Sequence, residues 1–228
     1  MIFINYLSKK TPEDLLRKYR VQHRLFATSV MMTMPGSIVG IIYGEKGSGR
    51  FIEALSRLLD QKKKMADRNE SIYYVDSDCF LYRPIDDILE LDFDVAVTYR
   101  YKWEEHGGRQ DCLGGFLWFS GRRPDVEDEF LETLIAATKK RYNDEVKRKV
   151  VPWYYDQLAI NDVVGDSPVS RTHEDYNAGK DFEPQIKLVD GVRVLFLSAN
   201  IFASPMTIIP RDDVRMVHYN HAYWPEGA

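Results

Sequence analysis

Two hydrophobic rhythms alternate along this chain. Short runs of adjacent apolar residues read as buried strands, and between them apolar residues recur at three- and four-residue spacings, the period of a helix with one buried face. The first run covers residues 2–7. Thr11-Pro12-Glu13-Asp14 then offers a capping hydroxyl, a proline suited to a first helical turn and acids at the positive end of the helix dipole, so a helix is expected to about residue 32. A second strand is expected over 37–43, followed by a glycine-rich turn and a helix over 50–65. Residues 72–75, Ile-Tyr-Tyr-Val, form an uninterrupted apolar run, as a central strand buried on both faces would. Further strands are expected at 94–98 and 115–119, with a charged, glycine-bearing loop over 100–111 between them. Pro124 opens a helix with acids early and bases late, on which Val126, Phe130, Leu134 and Thr138 share one face. A shorter helix over 153–164 and strands at 186–189, 192–197 and 214–217 complete the pattern.

Strands that alternate with helices predict an α/β fold with a mostly parallel central sheet flanked by helices. No repeat and no linker divides the chain, so residues 1–228 are read as one compact domain. At 44% hydrophobic and 29% charged residues it can bury a substantial core, which excludes disordered and low-complexity classes. A net charge of −4 argues against a nucleic-acid partner, whose phosphates need clustered Lys and Arg. Any anionic ligand must be held locally. Cys79 and Cys112 are too few for a disulfide framework and too far apart for a zinc knuckle, so a reducing cytoplasm is expected. The apolar start at Met1 lacks the basic residues and length of a signal peptide. Residues 25–44 carry no charge and approach the length of a membrane span, but Pro35-Gly36 interrupts them, so no transmembrane segment is expected.

Candidate chemistry concentrates after the strand at 72–75. If the strand continues, Asp76 and Asp78 point the same way and present two carboxylates at its carboxyl end, where ligands of open α/β sheets bind. Such a pair suits Mn²⁺ or Mg²⁺, with diphosphate oxygens and water completing the shell. The bare pattern carries no weight, since 21 Asp in 228 residues yield about two Asp-x-Asp matches by chance. The second match, Asp92-Phe93-Asp94, precedes its strand and is read as a solvated loop end. Gly44-Glu45-Lys46-Gly47-Ser48-Gly49-Arg50 imitates a phosphate-binding loop, yet Arg50-Phe51 stands where Lys and a hydroxyl residue are needed, so it is read as a flexible turn.

Residues 73–85, Tyr-Tyr-Val-Asp-Ser-Asp-Cys-Phe-Leu-Tyr-Arg-Pro-Ile, resemble the Asp-x-Asp segment of GT-A fold glycosyltransferases. Three later segments resemble the same enzymes. Leu113-Gly114-Gly115-Phe116-Leu117-Trp118-Phe119 is similar to their glycine-bearing strand that faces the donor sugar. Tyr155-Asp156-Gln157-Leu158-Ala159-Ile160-Asn161 resembles the Asp-Gln-x-x-x-Asn helix start of the retaining branch that includes glycogenin and lipopolysaccharide galactosyltransferases. Val217-His218-Tyr219 resembles the C-terminal segment whose His completes the metal shell. The Gly and Lys that usually follow that His are absent here, so no basic residue is assigned to the diphosphate.

The resemblance implies a GT-A domain with a nucleotide-binding half near 1–100 and an acceptor half near 101–228. It implies transfer, with retention, from a nucleotide sugar (UDP-sugar favoured, GDP-sugar admissible) to a glycan, lipid-linked glycan or protein. Asp76, Asp78 and His218 would hold the metal; Tyr6, Asp76, Gly114 and Gly115 would face the donor; Asp156 and Gln157 would be catalytic. Independently of the family, a divalent cation neutralises a diphosphate leaving group. Small residues such as Gly114-Gly115 admit a sugar but equally mark a bulge. Asp156 can bind sugar hydroxyls or exchange a proton and Gln157 can face an oxocarbenium ion, or the pair is a helix cap with a solvated Gln. His218 can be a ligand or a packed histidine, with His221 its rival; His23, His106 and His173 are read as surface residues. Other readings are a sugar-nucleotide nucleotidyltransferase, which would need a glycine-rich basic loop where Asn5-Tyr6-Leu7-Ser8 stands, and an inactive carbohydrate-binding relative.

Overall fold

The apolar run at Ile72–Val75 forms strand β3, and all its side chains are buried, as expected of a strand covered on both faces. The computed structural model describes residues 1–8, 12–45, 49–65, 67–103, 109–147, 155–205 and 211–218. β3 pairs in parallel with β1 (Ile2–Ser8), which pairs in parallel with β2 (Ile38–Gly44) at the sheet edge. On its other side β3 meets β6 (Arg109–Phe119) antiparallel. β5 (Val95–Trp103), β8 (Val192–Ser198) and β7 (Gln185–Val189) continue the sheet in the order β2-β1-β3-β6-β5-β8-β7. β6 and β7 oppose the common direction of the other strands, so the sheet is mixed but mostly parallel.

Helices cover both faces. α2 (Arg50–Lys64), α3 (Pro124–Lys147) and α4 (Tyr155–Val164) enclose a core in which Leu55, Leu58, Leu131 and Ile160 meet Ile4, Tyr74, Val97 and Leu117. α1 (Glu13–Thr33) covers the other face, where Phe26 and Val30 join Phe3, Tyr73 and Trp118. Tyr73 stacks on Trp118 at 5.1 Å between ring centroids, and the indole N–H donates to Ser71 Oγ at 2.6 Å, so the buried polar edge is satisfied. Each fully buried Leu or Phe contributes roughly 1.5–3 kcal/mol. A small sheet of β4 (Cys79–Leu81), β10 (Met216–His218) and β9 (Ser204–Pro205) lies beside this second core. Short helices α5 (His173–Asn177) and α6 (Ala199–Phe202) flank the β7–β8 hairpin in the chain.

Several expectations change. The stretch 100–111 is largely a hairpin, because β5 and β6 run on and pair Lys102 with Gln110 and Trp103 with Arg109; residues 104–108 lie outside the described residues. Its charges suggested a loop, whereas the alternate buried Tyr99 and Tyr101 carried the strand signal. α1 has Pro12 at its cap with no side-chain bond; Thr11 lies outside the described residues. Asp94 is no solvated loop end: it is fully buried and accepts hydrogen bonds from Arg123 (2.9 Å) and Arg193 (2.7 Å), while Asp92 remains exposed. His23 is half-buried and bonds Asn5 Oδ1 at 2.7 Å. His173 is exposed, as expected, and His106 lies outside the described residues. The uncharged stretch 25–44 resolves into the end of α1, a turn at Pro35-Gly36 and β2. Among the described residues no helix is long and apolar enough to cross a membrane.

Candidate active site

The first carboxylate is placed by the sheet itself. Asp76 follows β3, and its N–H donates to the Gly115 carbonyl at 3.0 Å, prolonging the β3–β6 ladder by one residue. Ser77 and Asp78 then turn the chain into β4, so Asp76 and Asp78 are neighbours across a turn and not alternating strand residues as the sequence suggested. Opposite them β6 bulges: from Val97↔Leu117 to Tyr99↔Cys112, β5 advances two residues while β6 advances five. Gly114 and Gly115 lie in this bulge. A Cβ at Gly115 would fall inside the Asp76 carboxylate, and one at Gly114 would fall inside that of Asp156. The glycine pair is therefore both things the sequence allowed, a bulge and a close approach, and the groups approaching it are two of the predicted site acids.

Asp78 turns toward the small sheet. Its Oδ1 lies 3.3 Å from Nε2 of His218, and a ligand atom of each of Asp78, Cys79 and His218 lies within 4.8 Å of the others. Antiparallel pairing of β10 with β4 sets His218 directly opposite Cys79, on one face. Burial pulls the His218 imidazole toward neutrality, but its hydrogen bond to Asp78 and the charges of Asp78 and Asp76 outweigh this and raise its pKa. Burial, with the same two carboxylates, holds the Cys79 thiol well above its usual range and protonated. A neutral thiol is no ligand for a hard cation, whereas carboxylate and imidazole suit Mn²⁺, so Asp78 and His218 fit a divalent ion and Asp76 adds charge beside them. His221 lies outside the described residues.

Asp156 stands in the first turn of α4, held against the site because the Tyr155 hydroxyl accepts the Phe51 N–H at 3.3 Å from the first turn of α2. Burial raises its pKa to about 6; the charge of Asp76 adds to this, and the Gln157 N–H and Arg50 oppose it. Among the described residues, its Oδ1 is buried without a hydrogen-bond partner. An acceptor of this kind, beside bare glycine backbone, suits a ligand hydroxyl. Gln157 is half-buried next to it. Tyr6 reaches the same end of the sheet, but its ring covers Gly44 and its hydroxyl donates to Glu53 Oε2 at 3.0 Å.

Sequence reasoning missed Arg50. It was set aside as the residue that spoils a phosphate loop, yet at the start of α2 its guanidinium acts on Asp76, Asp156, Tyr74 and Tyr155 and hydrogen-bonds Tyr19. It is a cation set among the site acids, at a helix N-terminus whose own dipole favours anions. Only its place after a glycine turn, Gly49 having φ +67°, could have pointed to it; residues 46–48 lie outside the described residues.

No protein-family model matches the chain, and no curated protein matches it in sequence. Solved structures do match it in shape. A glycosyltransferase involved in the glycosylation of the major capsid of PBCV-1 superposes with a TM-score of 0.56 at 12% identity, over 95% of this chain and 92% of that one. The galactosyltransferase LgtC, in complex with donor and acceptor sugar analogs, gives 0.54 at 12% identity over 96% and 87%. Mouse xyloside xylosyltransferase 1, in its apo form, gives 0.52 at 9% identity over 97% and 99%. The chain has the GT-A fold of these structures, almost end to end.

Proposed function

We propose that this chain is a metal-dependent glycosyltransferase that moves a sugar from a nucleoside-diphosphate sugar to a hydroxyl acceptor with retention of anomeric configuration. The observation that carries the reading is the approach of Asp76 and Asp156 to a glycine bulge at the carboxyl end of β3, with Asp78 and His218 meeting each other two residues beyond Asp76. Asp78 and His218 hold the ion, with Asp76 beside them. When bound, Mn²⁺ or Mg²⁺ supplies Lewis-acid neutralisation of the diphosphate leaving group. Arg50 adds a fixed positive charge on the α2 side.

Gly114 and Gly115 let the sugar ring come against backbone, and Asp156 Oδ1 accepts one of its hydroxyls. Gln157 turns its amide carbonyl to the positive charge that develops at the anomeric carbon. Tyr6, near the end of β1, serves the nucleotide, so residues near 1–100 form the nucleotide-binding half, while the half beyond adds the donor-sugar and metal groups already named and carries the acceptor. UDP is the favoured nucleotide and GDP the next; a glycan, lipid-linked glycan or protein supplies the acceptor hydroxyl. Cys79 and Cys112, both buried and not joined in a disulfide, suit a reducing cytoplasm.

Nucleoside diphosphate release from UDP-, GDP- and dTDP-sugars with Mn²⁺ tests the reading, with proton NMR of the first-formed product. Turnover of a UDP-sugar, abolished in Asp156→Asn and giving the retained anomer, is expected. No turnover of any donor overturns sugar transfer, and an inverted anomer overturns the roles of Asp156 and Gln157.

A further inference from the structure

The outer face of α1 differs from the rest of this acidic protein. Between Asp14 and Glu45 the chain contains no acidic residue, although the whole molecule carries a net charge of −4. α1 turns Leu16, Gln22, Phe26, Ser29 and Val30 inward. Outward, its first half exposes Arg17, Lys18, Arg20 and Arg24. Its second half exposes Leu25 (49%), Met31 (60%) and Met32 (80%), with Val21 (45%) leading into them. Spacings of three and four residues, from Arg17 through Val21 and Arg24 to Met31, put the cations and the apolar side chains on one side of the helix. Single exposed apolar residues need no explanation, but here they are contiguous and continue a cationic strip.

We propose that this face docks on an anionic phospholipid surface, lying on the membrane and not crossing it. The cations meet lipid phosphates and carboxylates while Leu25, Met31 and Met32 enter the headgroup boundary, the arrangement of an interfacial amphipathic helix. A second copy docked through the same face fits less well: Glu13, in the first turn of α1, already pairs with Arg20 at 3.4 Å, so Arg17, Lys18 and Arg24 would be set against the like charges of the other copy. α1 returns from the carboxyl end of β1 to the start of β2, so its basic half lies toward the end of the sheet that carries Asp76. The proposal does not depend on sugar transfer.

Co-sedimentation of the full chain with phosphatidylcholine vesicles, with and without phosphatidylglycerol in roughly equal amount, tests it. Binding is expected only with phosphatidylglycerol, weakening as salt rises. Arg17→Glu with Arg24→Glu should lower the partition coefficient on the order of thirtyfold, and Met32→Glu should lower it severalfold, each with the melting temperature unchanged. No binding to anionic vesicles overturns the proposal, as does equal binding to neutral ones or binding indifferent to these substitutions. Self-association in light scattering that Met32→Glu abolishes, without vesicle binding, would assign the face to a second copy.

Discussion

The Asp156 carboxyl is buried and lies in the field of Asp76, so its pKa is raised to about 6 in the folded chain against ~4 in an unfolded one. The folded state therefore holds the proton more tightly, and stability falls as pH rises between those values. Replacing the group by a neutral isostere removes that loss. Asp156→Asn is expected to raise stability at pH 7 by up to ~2 kcal/mol while abolishing turnover, with the gain fading below about pH 4. Urea unfolding at both pH values measures it; an equal loss of stability at both would mean that the carboxylate is structural. Gly114→Ala, which drives a methyl group into Asp156, should lose turnover and about 1–3 kcal/mol. Gly40→Ala, where a Cβ meets only the Phe3 carbonyl oxygen at 4.0 Å, should leave turnover intact, and parallel activity and melting curves on the two variants decide. At this scale the sequence shows acids and glycines but not their partners. Asp76 and Asp78 were legible as a pair near a strand end, whereas Arg50 gained meaning only once α2 was seen to begin beside Asp76.

Among the elements, the starts of β5, α3 and β8 are joined by one carboxylate. Asp94, just before β5, would have a raised pKa from burial alone, but hydrogen bonds from Arg123 and Arg193 hold it well below the usual carboxylate range. A depressed folded pKa contributes stability that is present above pH ~4 and lost as pH falls toward the depressed value. Asp94→Asn should cost about 2–3 kcal/mol at pH 7, moderated because Arg123 and Arg193 still reach water, and should flatten the loss of stability between about pH 5 and pH 3. Chemical denaturation across that range checks this, and an unchanged acid limb would show that the network is idle. The element pattern was largely legible: β1, β2, β3, α1 and α2 fall close to their expected limits because their apolar periodicity is strong, and α3 opens at Pro124 as expected. The β5–β6 hairpin was not, because its local composition is charged while its pairing is long-range. Nor was Asp94, since two arginines distant in sequence decide whether an acid before a strand is solvated or buried.

For the molecule as a whole, strands interleaved with helices announced an α/β sheet, but nothing in the local pattern marks β6 as inserted antiparallel between β3 and β5. That insertion matters to function, because it sets the Gly114-Gly115 bulge against Asp76 and lets α4 deliver Asp156 from the next layer. Donor binding through a metal held by Asp78 and His218 is the central claim of the proposed function. Calorimetric titration of UDP into the wild-type chain and Asp78→Ala, each with and without Mn²⁺, tests it most directly. Mn²⁺ should strengthen UDP binding to the wild type by at least tenfold and leave Asp78→Ala, folded with a near-native melting temperature, unaffected. Metal-dependent affinity that survives in Asp78→Ala would contradict the account.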